Sequence, residues 1–86
     1  MQIDLDILKQ RIIEATTQSS VATQVEQVTL EADTDEEGDD FLRVILQVKD
    51  FKNANEADFE ALLEAIERAV GDIDERYPSV RFSDAA

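Results

Sequence analysis

Six acids fall within eight residues: Asp33, Asp35, Glu36, Glu37, Asp39 and Asp40. Carboxylates at alternate positions ahead of a glycine are how an EF-hand calcium loop opens, and Asp33-x-Asp35-x-Glu37-Gly38 has that form. The twelfth position of such a loop must be a bidentate Glu, and here it is Val44. The flanking segments also read as strands, where the motif needs helices. The cluster is therefore expected to be a solvated hairpin tip without a metal. A second acidic group, Glu60, Glu64, Glu67 and Asp74, is expected on the outer face of a helix, where Glu64 can pair with Arg68 at i,i+4.

Other chemistries are hard to build from this composition. The chain has no cysteine and no histidine. It therefore lacks a thiolate nucleophile, the commonest general base and the commonest metal ligand. Ser and Thr have no imidazole to activate them. Two glycines in the whole chain cannot make a phosphate-cradling loop. A catalytic carboxylate pair needs burial or a neighbour that separates the two pKa values, and the acids sit mostly at expected exposed positions. No enzymatic activity and no cofactor are expected.

Twenty-one acids against eight bases leave a net charge of −13. Affinity for DNA or RNA is driven by Lys and Arg on phosphate, so direct nucleic-acid binding is not expected. No apolar run approaches the roughly 18 residues that a membrane span requires. A soluble, cytoplasmic protein is expected. Such a surface suits a partner of opposite charge.

The elements that hold these residues follow from apolar periodicity. Asp4 can cap a helix over residues 4–17, in which Leu5, Leu8, Ile12 and Ala15 share one face. Ile7 and Ile13 lie off that stripe. They either widen the buried face or are left for a second subunit. In residues 25–33, Val28, Leu30 and Ala32 alternate with Thr29, Glu31 and Asp33, as in a strand solvated on one side. Residues 34–40 form the hairpin, with Gly38 supplying the positive φ. Residues 41–50, FLRVILQVKD, form the central strand. Leu42, Val44, Leu46 and Val48 lie on one side; Phe41, Arg43, Ile45, Gln47 and Lys49 lie on the other.

A second helix is expected from an Asn53–Glu56 capping box, or from Asn55 with Asp58, to about Glu75. Its stripe is Phe59, Leu62, Leu63, Ile66, Val70, Ile73 and then Tyr77. Gly71 weakens its last turns. Tyr77-Pro78 stops it, and Val80 and Phe82 begin a short third strand ahead of a frayed tail at Ser83–Ala86.

The order α-β-β-α-β implies one α+β domain over residues 1–86. The expected architecture is a two-layer sandwich: a three-stranded sheet with two helices packed on one face. This order, with a long second helix followed by ERYPSVRF, resembles the cytoplasmic C-terminal domain of cation diffusion facilitators over most of the chain. The resemblance implies the fold. The histidines with which those domains bind zinc are missing here, so it does not bring metal sensing with it.

Two functions are compatible with these features. The leading one is a small acidic, non-catalytic protein-binding module. An inhibitor, antitoxin or immunity-like protein neutralising a basic nuclease or nucleic-acid-binding partner is of this kind, and would use Asp35, Glu36, Glu37, Asp39, Asp40, Glu60, Glu64 and Glu67. The alternative is a regulatory or small-ligand-binding domain that forms a homodimer through the open sheet face around Phe41, Ile45 and Lys49. A calorimetric titration of the protein with Ca²⁺ is expected to release no binding heat.

Overall fold

The computed structural model describes residues 2–53 and 55–84. Helix α1 spans Leu5–Thr17 and α2 spans Glu56–Gly71. Strands β1 (Val25–Thr34), β2 (Asp40–Val48) and β3 (Tyr77–Asp84) form one sheet in the order β1-β2-β3. The hairpin makes β1 and β2 antiparallel, while the crossover through α2 makes β2 and β3 parallel. The three-stranded sheet under two helices is the α+β sandwich expected from the sequence.

β2 is central because its inner face is apolar along its whole length. Leu42, Val44, Leu46 and Val48 have no solvent exposure. Leu8 and Ile12 of α1 cover them from one side, and Phe59, Leu62, Ile66 and Val70 of α2 from the other. Each such aliphatic side chain contributes about 1.5–3 kcal/mol when fully buried. Phe59 also meets Phe82 of β3 edge-on, with centroids 5.1 Å apart.

Local signals set most of the boundaries. The Asp4 carboxylate accepts the Asp6 N–H at 2.8 Å and starts α1. Of the two expected starts for α2, Asn55 is the one used, its Oδ1 accepting the Ala57 N–H at 2.9 Å. Asn53 lies instead in a short 3₁₀ turn, and its side-chain amide donates to Asp50. Gly38 has φ +86°, as the hairpin requires.

Four expectations are corrected. The second helix ends at Gly71 and does not reach Glu75. A glycine is a poor helix residue, and beyond it the N–H groups of Asp72, Ile73 and Asp74 bond back to the Arg68 and Val70 carbonyls before the chain turns into β3. Tyr77 is not the last member of the helical stripe but the first residue of β3. Pro78 belongs to that strand, which is tolerated because β3 is an edge. Ser83 and Asp84 are not frayed; they pair with Gln47 and Val48. The rest of the expected tail, residues 85–86, lies outside the described residues.

The fourth correction concerns Asp74, which is not on an outer helix face. Its side chain is fully buried and that of Arg76 is 8% exposed. Arg76 Nε donates to Asp74 Oδ1 at 2.9 Å and Nη2 to Oδ2 at 2.8 Å. The Asp74 carboxylate also accepts the N–H of Ile3 at 2.7 Å, and Arg76 Nη2 donates to the Ile3 carbonyl at 2.8 Å. A buried ion pair thus grips the backbone of the N-terminal segment at both of its polar groups. The hydrogen bonds from Arg76 hold the Asp74 carboxyl well below the usual aspartate range, against the opposing effect of burial.

Removing one partner leaves the other charge buried and unpaired. Arg76→Met is expected to cost about 3–5 kcal/mol, read from the urea midpoint, and Asp74→Leu/Arg76→Met less than that single change. Because the folded Asp74 pKa is depressed, its contribution is fully present above the unfolded aspartate value near 4 and is lost as pH falls below it. The urea midpoint of the wild type is therefore expected to drop on acidification more steeply than that of the double variant.

Candidate interaction surface

The sheet face turned away from the helices is built by register. Four rows cross it: Asp33–Phe41–Tyr77, Glu31–Arg43–Ser79, Thr29–Ile45–Arg81 and Gln27–Gln47–Ser83. Phe41 and Tyr77 stack with centroids 5.4 Å apart and ring planes 14° from parallel. The Arg43 guanidinium lies 5.3 Å from the centre of the Phe41 ring, a cation–π contact. Arg43 also pairs with Asp33 at 2.9 Å and Glu31 at 3.4 Å. With the Thr34 N–H and then Arg43 both on it, the Asp33 carboxylate is held below its ordinary pKa. Ile45 is half-buried in the middle of the face, next to the exposed Arg81. Among the described residues, Arg81 makes no salt bridge. Two acids and two bases balance across these rows, so the net charge of −13 resides on the rest of the molecule.

The three residues singled out for this face fare differently. Phe41 and Ile45 are on it and only partly covered. Lys49 lies one residue beyond β2, exposed, in a bend where its N–H donates to the Gln24 carbonyl at 2.8 Å.

The acidic tip is more ordered than a solvated run. Asp35 is half-buried, and its Oδ1 accepts the N–H groups of Glu37 and Asp39, both at 2.9 Å. Its Oδ2 accepts the Tyr77 hydroxyl at 2.8 Å. The backbone N–H of Asp39 and then the Tyr77 hydroxyl lower the Asp35 pKa; the same bond to Asp35 raises that of Tyr77. Asp40 accepts from the Gln2 amide at 3.0 Å and the Thr34 hydroxyl at 3.2 Å. Glu36, Glu37 and Asp39 are exposed, as are Glu60, Glu64 and Glu67 on α2. Among the described residues, no three carboxylates converge to hold a metal ion.

Neither the Asp35–Tyr77 bond nor the Asp74–Arg76 pair was expected from the sequence. Both partners of the first are distant in the chain. The second has a local trace, an Asp-x-Arg step that begins three residues after the glycine that ends α2. Two open grooves flank the helix layer. One, of about 390 Å³, runs along Ala61, Ala65 and Ala69 of α2; the other, of about 380 Å³, lies between α1 and β1.

No protein-family model and no curated protein matches this chain. Solved structures do match. Three of the MamM C-terminal domain align with it: a His-to-Ala variant, an Asp-to-His variant in a copper form, and a His-to-Glu variant. They cover 96%, 96% and 95% of this chain and 100%, 100% and 96% of their own lengths. Each has a TM-score of 0.55 at 23% identity. The likeness is one of fold.

The chain contains a single tyrosine, so its titration is readable by ultraviolet absorbance. The phenol is expected to ionise above the ordinary value near 10, because ionisation breaks its bond to Asp35 and sets two anions side by side. Asp35→Asn is expected to bring it back toward that value.

Proposed function

We propose that this chain is a non-catalytic regulatory domain that pairs with a second copy of itself through the open sheet face. The observation that carries this reading is the balance of charge on that face. A molecule of −13 has one broad surface where acids and bases cancel, and Ile45 and the Phe41–Tyr77 stack sit on it. Two copies of a molecule this acidic repel one another overall, so a face on which charges cancel offers a low electrostatic cost of approach.

One of the similar structures holds copper. This chain has neither histidine nor cysteine, which favours association over metal binding as the basis of its function. Three strands of about eight residues present a flat area of roughly 400 Å² at ordinary strand spacing and rise. Two such faces bury about 800 Å² in all, less than the roughly 1,200 Å² of a standard specific interface, so the dimer is a weak, adjustable one.

Sedimentation velocity tests the reading. The wild type is expected to shift from monomer to dimer with concentration, and more readily as salt screens the net charge. Ile45→Glu and Arg81→Glu are each expected to weaken the dimer by about tenfold or more. A wild type that stays monomeric at high concentration and high salt would overturn it.

A further inference from the structure

The outer edge of β1 is a second surface, distinct from the open face. β1 is ten residues long and is bonded to the sheet on its β2 side alone. The Asp35 N–H donates to the Asp39 carbonyl at 2.9 Å, which sets the phase of the antiparallel ladder. Gln27, Thr29, Glu31 and Asp33 then turn their backbone groups toward β2, and Val28, Leu30, Ala32 and Thr34 turn theirs outward. In agreement, the Thr34 N–H is bonded to the Asp33 carboxylate at 2.8 Å. Val28, Leu30 and Ala32 therefore offer N–H and C=O groups to an incoming strand at a repeat of two.

Folded proteins usually blunt such an edge with proline, lysine or brevity. The opposite edge is blunted: β3 is shorter and contains Pro78 and Arg81. β1 has a bulge between Val25 and Gln27, and neither proline nor lysine. The groove of about 380 Å³ runs beside it, lined by Ile13, Thr16, Ala22, Val25 and Val28. Ile13, one of the two α1 isoleucines that lie off the buried stripe, is a wall of this groove.

Charge selects the occupant. Glu26, Glu31 and Asp33 lie on β1, Arg43 of β2 offsets one of these three charges through its bonds to Glu31 and Asp33, and the strand leads into the exposed Glu36 and Glu37 of the hairpin. Two β1 edges paired together would bring like charges within a strand spacing. The same acids attract Lys and Arg. We infer that the free edge of β1 takes an extended basic segment of a partner protein by strand addition. Its backbone pairs with Val28, Leu30 and Ala32. Its alternate apolar side chains enter the groove beside α1, and its Lys or Arg side chains lie near Glu31, Asp33 and the hairpin.

A short peptide of alternating valine and lysine is the probe, with amide hydrogen exchange read by NMR. Saturable binding is expected, with the Val28, Leu30 and Ala32 amides slowed by about tenfold or more. Rising salt should weaken it, the opposite of its effect on self-association. Peptides with N-methylated backbone nitrogens or with glutamate for lysine are expected not to bind. Ala32→Pro removes an outward N–H without touching the β2 ladder and should abolish the protection. Glu31→Lys should weaken binding severalfold and keeps the test open if the proline variant does not fold. Equal binding of the N-methylated peptide would mean attraction by charge alone and would overturn the inference. So would protection of these amides that grows with protein concentration in the absence of peptide, since a second copy would then occupy the edge. Ile45→Ser, which removes the apolar centre of the open face without adding a charge, should leave peptide binding unchanged, so failure of the dimer and failure of strand addition are separable.

Discussion

Leu42, Val44, Leu46 and Val48 are sealed by two helices, and among the described residues no element covers the other side of the strand that bears them. A central strand has two faces, and its sheet has two edges. With one face covered, the other face and both edges must either be made compatible with water or be used. Each is treated differently here. The face is balanced in charge and partly apolar, the β3 edge is blunted by Pro78, and the β1 edge is left open but strongly acidic.

A small core needs its ends fastened, and here polar contacts do that. The Asp74–Arg76 pair is taken out of water, which is costly, yet both ions are satisfied: the carboxylate by Arg76 and Ile3, the guanidinium by Asp74 and the Ile3 carbonyl. At the hairpin, Tyr77 links the start of β3 to Asp35 across the sheet. Both fastenings sit at the same end of β3, on consecutive residues. They join the N-terminal segment, the α2–β3 turn and the hairpin into one unit.

Acidity and the proposed association are reconciled by location. A net charge of −13 keeps copies apart and lowers the stability of the compact state. On the open face, however, Arg43 answers Asp33 and Glu31, and Arg81 makes no salt bridge among the described residues. In the proposed dimer the charge acts as a filter, discouraging contact where acids dominate and permitting it where bases are present.

The strand period that begins at Phe41, the Asp4 cap, the Gly38 turn and the amphipathic stripe of α2 were all legible in the chain, because each depends on neighbours within a few residues; the α2 cap was legible only as a choice between Asn53 and Asn55. So were the absence of imidazole and thiol chemistry and the acidity of the surface, which composition alone decides. The strand order, the parallel pairing of β3 and the stacking of Tyr77 on Phe41 were not, since they join residues far apart in sequence. Asp74 is the clearest case. Extrapolated helical periodicity placed it in water, but the helix stops at Gly71, and the residue that makes its burial tolerable, Arg76, reaches it only once the chain has turned toward the sheet.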